Sequence, residues 1–125
     1  MEDMAYSTEE LARAVEKWRG QNRKGFLELC ILRCVRARKR VYGFALMDQL
    51  QQLGMEISEG SLYPLLARLV KEHSLLAEWD TPTEGHPRKY YTLSLFGLDF
   101  LAQIEEHYEH DHQVFLKIQD GGSDT

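Results

Sequence analysis

A proline interrupts the most regular apolar stripe of the chain. In "ISEGSLYPLLARLVKEH" (57–73), Leu62, Leu65, Leu66, Leu69 and Val70 recur at helical spacing, with Pro64 among them. Proline lacks a backbone N–H and clashes with the preceding turn, at a cost of about 3 kcal/mol in a helix interior. It is tolerated near a helix start, where the first N–H groups have no intrahelical acceptor. The stripe is therefore constrained to a short helix over about 59–72, capped between Ser58 and Ser61, with Pro64 in or just after its first turn. The leucines face inward. Ser61, Pro64, Arg68 and Lys71 share the opposite face, with Tyr63 on the flank.

The neighbouring segments are readable in the same way. "STEELARAVEKW" has Ser7 and Glu10 at the spacing of a capping box, and Leu11, Val15 and Trp18 on one face before Gly20. It predicts a helix over 8–19. "GFLELCILRCV" (25–35) is apolar nearly all round, as in a short buried helix. "VYGFALMDQLQQLG" predicts a helix over 42–53 that stops at Gly54. "LLAEWDT" (75–81) and "RKYYTLS" (88–94) are rich in β-formers and flank "PTEGHP", the composition of a hairpin loop. Tyr90 and Tyr91 alternate faces, so one of them should be core. Ser94 can cap a last helix running to about Ile118, ahead of a "QDGGSDT" tail expected to be disordered.

Three helices followed by a hairpin are the layout of a mainly α winged helix-turn-helix. The expected organisation is an N-terminal helix (1–22) that covers the core or a dimer partner, the winged helix-turn-helix (23–95), a dimerisation helix (96–119) and a disordered tail (120–125). The length of 125 residues suits one such domain, and an apolar content of 43% argues against disorder. No apolar run approaches the roughly 20 residues that span a bilayer, and no secretory signal opens the chain. Two cysteines are too few for a disulfide scaffold. A cytoplasmic location is expected.

The net charge of −5 is unevenly placed. From Phe96 onward there are seven acids and one lysine, whereas residues 1–95 carry 13 acids and 14 bases. "RCVRARKR" (33–40) holds five bases and no acid; it either flanks DNA or is a solvated helix end. In a helix-turn-helix the second helix enters the major groove and the first braces it. Segments 42–53 and 59–72 would form that pair. Ser61, Arg68 and Lys71 then suit a surface laid on DNA, and Tyr63 could reach a phosphate while its ring packs on the protein. An ordinary surface helix with a tolerated proline explains the spacing equally well.

The combination "YGFALMDQL…SEGSLYPLLARL…PRKYYTLSLFG" resembles the PadR family of bacterial transcriptional regulators. It covers about residues 25–100: Tyr42–Gly43 at the second core helix, Gly60 to Leu69 in the recognition helix, and Arg88 to Gly97 closing the wing. The resemblance implies a DNA-binding regulator, usually a repressor, with contacts from Tyr42, Ser61, Tyr63 and Arg68 and with Arg88 and Lys89 at the wing. The sequence departs from the family pattern at "EHSLL", where Glu-Gly-Leu is usual, and at "SLFG", which leaves Leu95 and Phe96 needing cover. The N-terminal helix, from the same chain or a partner, is the expected cover. A solvated hairpin pair is the plainer reading of Arg88 and Lys89. A winged-helix module for protein–protein contact is the rival function.

In the last helix Leu101, Ile104, Tyr108, Asp111, Phe115 and Ile118 follow the 3-4-3-4-3 spacing of a coiled-coil seam. The expected assembly is a homodimer joined by Leu101, Ile104, Tyr108, Phe115 and Ile118. It would bind a palindromic double-stranded operator with half-sites about 34 Å apart. Asp111 would pin register, line a cavity or stay exposed. By resemblance a small aromatic effector could sit near this interface against Tyr108 and Trp18, although core packing is the plainer role for both. "HYEHDH" pairs His107 with Asp111 and Glu106 with His110, but nothing completes a metal site. Cys30 and Cys34 share a buried helix face and act most simply as small apolar side chains. No nucleophile–base set, phosphate loop or carboxylate pair emerges, so neither catalysis nor a cofactor is expected.

Overall fold

The computed structural model describes residues 5–119, which form four helices and a small sheet. The order is α1 (Thr8–Arg38), β1 (Val41–Tyr42), α2 (Gly43–Gln52), α3 (Glu59–Lys71), β2 (Leu75–Asp80), β3 (Arg88–Leu93) and α4 (Leu95–Lys117). The "QDGGSDT" tail lies outside the described residues except for its first, Gln119. The sheet is antiparallel, in the order β1-β3-β2. Its register runs from Leu75↔Leu93 to Asp80↔Arg88 on one side of β3, with Val41↔Tyr91 and Tyr42↔Tyr90 on the other. This is a winged helix-turn-helix, with α2 and α3 as the helical pair and β2–β3 as the wing.

The two expected N-terminal helices are one. Ser7 accepts a hydrogen bond from the Glu10 N–H at 3.0 Å, and Glu10 accepts from the Ser7 N–H at 2.9 Å. From that capping box the helix runs for 31 residues, straight through Gly20 and Gly25. An interior glycine costs only about 1 kcal/mol, and neither glycine adopts the positive φ that would end the helix. The stop comes at Lys39, with φ 67°. A boundary at 22/23 therefore falls inside a continuous helix. Only its second half, from Leu27 to Val35, is buried; Leu11, Val15 and Trp18 are exposed.

The core gathers Ile31, Leu32 and Val35 of α1, Leu46 and Leu50 of α2, and Leu62, Leu66 and Leu69 of α3. Leu75, Tyr91 and Leu101 complete it, so Tyr91 is the core tyrosine of its pair. Ser58 is the N-cap of α3, which makes Pro64 the sixth helical residue, just beyond the first turn. The proline is not free of cost there, because the Gly60 carbonyl loses its partner four residues on. Gly60 lies on the exposed side of the helix, where water can replace that bond.

The departure at "EHSLL" has a specific geometry. His73 adopts φ 70°, the left-handed conformation that usually calls for glycine. The His73 N–H donates to the Val70 carbonyl and the Ser74 N–H to the Leu69 carbonyl, a Schellman closure. Ser94 then caps α4: its Oγ accepts from the Gly97 N–H at 2.8 Å and donates to the His73 carbonyl. A Cβ on Gly97 would lie 2.0 Å from the Ser74 carbonyl oxygen, so α4 can pack on this turn only through glycine. Leu95 and Phe96 remain 83% and 57% exposed. The helix expected to cover them does not do so within one chain.

Candidate nucleic-acid interface

Burial on α3 is strictly one-sided: Leu62, Leu66 and Leu69 are inside, and Gly60, Pro64, Ala67 and Lys71 lie furthest from them. The outermost strip is thus three small residues followed by a cation. Such a strip lets a helix approach a groove wall closely. Gly60 and Ala67 carry no polar chemistry, which is why the sequence did not point to them.

One flank of α3 faces the wing. Tyr63 lies directly on Gly43, the first residue of α2; a Cβ there would be 2.6 Å from the tyrosine ring and 2.9 Å from its hydroxyl. Gly43 therefore makes room for Tyr63, and the ring braces α3 against α2. Burial, helped by the nearby Glu59, pushes the Tyr63 phenol up, so it stays a neutral donor. Tyr63 and Ala67 share a cleft of about 700 Å³ with Tyr42, Trp79, Arg88 and Lys89. Trp79 is directly opposite Lys89 across the wing, with the ammonium 5.8 Å from the indole centroid. At 63% exposure Trp79 is a large apolar group presented at the wing, where its strand pattern in the sequence marks it only as a β-former.

On the alternate sheet face, cations and rings interleave. Tyr42 and Tyr90 are cross-strand neighbours with centroids 5.7 Å apart at 72°. The Arg88 guanidinium lies 4.5 Å from the Tyr42 ring, and that of Arg40 lies 3.6 Å from the Tyr90 ring. Among the described residues, Lys71, Arg88 and Lys89 form no ion pair. Both helices of the pair also begin without a side-chain cap: neither Tyr42 at α2 nor Ser58 at α3 caps its helix. At α3 the Ser61 and Leu62 N–H groups already donate to the Ser58 carbonyl, which leaves those of Glu59 and Gly60 to an anion, as at helix starts that bind phosphate.

The other flank of α3 faces α1, and here the expectation changes. Arg68 is not an open cation. Its guanidinium donates to Glu72 at 2.7 Å and to Glu28 of α1 at 2.9 Å. These bonds hold its pKa above the ordinary arginine value, with Glu28 the larger cause. Ser61 and Arg68 line a cleft against Arg23 and Lys24 of α1. Three of the five cations in the basic run 33–40 are similarly engaged. Arg36 grips Glu105 of α4 with two bonds of 2.6 and 2.9 Å, Arg33 adds a third contact at 3.3 Å, and Arg40 lies 3.8 Å from Asp80. The Arg36 hydrogen bond holds the Glu105 carboxyl below the usual glutamate range.

The expected dimer residues separate into two groups. Leu101 is completely buried in the chain's own core, so it has no surface left for a partner and is withdrawn from the seam. Ile104 is half-buried against the same core. Tyr108, Phe115 and Ile118 are exposed at 45%, 71% and 73%. Tyr108, His112 and Phe115 form a ladder of stacked rings, at 6.2 and 6.3 Å. Asp111 lines a groove of about 570 Å³ between α1 and α4, together with Tyr108 and Phe26. Trp18 lines a separate cleft; Phe26 touches both, with its ring 5.9 Å from that of Tyr108.

His110 approaches Asp111 at 3.5 Å, and among the described residues no three metal-ligating side chains gather. Burial pushes both the Cys30 and Cys34 thiols up, away from reactivity. No helix among the described residues is long and apolar enough to cross a membrane.

The geometry defines a winged helix-turn-helix in which the start of α2, Tyr63 and Ala67 of α3, and the wing line one cleft. Residues 31–103 match the transcriptional regulator PadR-like family, and the chain belongs to it. A PadR family transcriptional regulator from Eggerthella lenta is 29% identical, with TM-score 0.78 over 92% of this chain and 100% of that one. A PadR-like transcriptional regulator from Bacillus cereus is 33% identical, with TM-score 0.72 over 82% of this chain and 99% of that one. An uncharacterised protein of Lysinibacillus sphaericus is 24% identical over 101 residues, 78% of this chain and 92% of its own. The family is one of transcriptional regulators rather than enzymes.

Proposed function

We propose that the protein is a cytoplasmic transcriptional repressor that binds a palindromic operator as a homodimer and is released by a small aromatic effector. The observation that carries the DNA reading is the shared surface of α2, α3 and the wing. There Arg88 and Lys89 line a cleft with the uncapped start of α2, and neither they nor Lys71 of α3 form an ion pair among the described residues. Tyr42, Ser61, Tyr63 and Lys71 would contact the duplex from the helical pair, and Arg88 and Lys89 from the wing. Arg68, tied to two carboxylates, is read as the residue that positions α3 rather than one that reads bases.

Dimerisation is supported by apolar surface that a lone chain leaves in water: Leu11, Val15 and Trp18 on α1, and Tyr108, Phe115 and Ile118 along α4. An aromatic effector is supported by the groove between those helices.

Fluorescence anisotropy on DNA from upstream of the gene, measured across a salt series, tests the DNA reading. Affinity should fall steeply with salt, and Lys71→Ala should lower the slope by about one. Binding insensitive to salt would favour the protein–protein module instead. Sedimentation should give a dimer that Phe115→Asp converts to monomer.

A further inference from the structure

Glu28 belongs to two sites at once. It lines the groove between α1 and α4 beside the rings of Phe26, Phe100 and Tyr108, with Asp111 on the α4 wall. Its side chain is only 16% exposed, and its Oε1 accepts the 2.9 Å hydrogen bond from Arg68 on α3. Arg68 has a second carboxylate, Glu72, but that residue lies on its own helix end. Glu28 is thus the acid through which the recognition helix is tied to α1.

The groove lining has a definite chemical sense. Among the described residues it presents three aromatic rings and two carboxylates, and no lysine, arginine or histidine. Flat aromatic surface is satisfied by the rings, and a positive group by their faces and by the acids. A phenolate or carboxylate would meet only like charge.

We propose that this groove binds a small aromatic cation whose positive group shares Glu28 with Arg68, so that ligand binding loosens α3 from α1. The inference rests on the effector reading above and gives it a charge and a route. A cation at Glu28 competes with Arg68 for one carboxylate and so weakens the Arg68 bond to α1, while the bond to Glu72 is untouched. Coupling of this kind is reciprocal: the ligand weakens DNA binding by the factor by which DNA weakens ligand binding.

Calorimetry on the full chain with naphthylmethylamine and naphthoate tests it, because the two share a ring system and differ in charge. The amine should bind at least about tenfold more tightly than the acid, the ratio expected of one charge-assisted contact. Glu28→Gln should erase that preference, while Tyr108→Ala should weaken the amine without reversing it. Asp111→Asn, on the exposed rim, should narrow the preference even if Glu28→Gln folds poorly. With DNA bound, amine affinity should fall, and by the same factor the amine should lower DNA affinity. Equal binding of amine and acid would overturn the charge assignment and leave the effector reading standing. Failure of both to bind would overturn the effector reading, and this inference with it. Amine binding that leaves DNA affinity unchanged would overturn the shared role of Glu28.

Discussion

Arg36 and Arg88 carry the same group in opposite circumstances. Arg36 has two carboxylate oxygens of Glu105 at 2.6 and 2.9 Å; Arg88 has a tyrosine ring at 4.5 Å and forms no ion pair among the described residues, although Asp80 is its cross-strand neighbour. The first arginine fastens α1 to α4. The second stays available to a partner outside the chain, steadied by a ring that leaves its N–H groups open. The basic run 33–40 is the densest positive stretch in the sequence, yet the structure uses it mainly as internal fastening. Lys71 of α3 and Arg88 and Lys89 of the wing, although sparser, form no ion pair among the described residues. Charge along a sequence is therefore a poor guide to charge available for binding.

The sharpest way to break this contrast is to remove the open cations. Arg88→Ala with Lys89→Ala should cut DNA affinity about 100-fold at low salt and lower the salt slope by about two, with little change in stability. The same titration on Arg36→Ala should keep the wild-type slope. That variant should instead lose about 1–2 kcal/mol in urea unfolding, because it leaves Glu105 largely enclosed with only the longer Arg33 contact.

Acid should separate the two sets as well. The Glu105 pKa is depressed in the folded chain, so its pairing stabilises fully above the ordinary glutamate pKa. That stability is lost as pH falls through the lower folded value. Thermal unfolding followed downward from neutral pH should therefore show an acid limb that Glu105→Gln flattens, while Lys89→Ala leaves it intact. The smallest effect is expected away from both sets. His73→Gly should stabilise by about 0.5–1 kcal/mol by relieving a left-handed non-glycine residue, without altering DNA affinity.

Much of the architecture was legible because it rests on local physics. The stripe around Pro64, the capping residues Ser7 and Ser94, and the β-rich pair flanking "PTEGHP" each encode an element within a few residues. The errors arose where local and long-range effects compete. Gly20 reads as a break, yet one helix propagates through it and Gly25 because an interior glycine costs less than ending and restarting a helix. Val41–Tyr42 read as the start of a helix but forms a strand, since β3 lies beside it to accept the pairing.

The sequence by itself determined the helical pair followed by the hairpin and last helix, the inward leucine face of α3, and the family pattern in "SLYPLLARL" and "PRKYYTL". These follow from spacing, capping and backbone chemistry, which act between near neighbours. Only the tertiary structure decided which cations stay open, that Leu101 belongs to the core, that Gly43 makes room for Tyr63, and that Glu28 joins a groove to the recognition helix. Those outcomes depend on contacts between residues far apart in the chain, 69 positions for Arg36 and Glu105, and no local pattern records them.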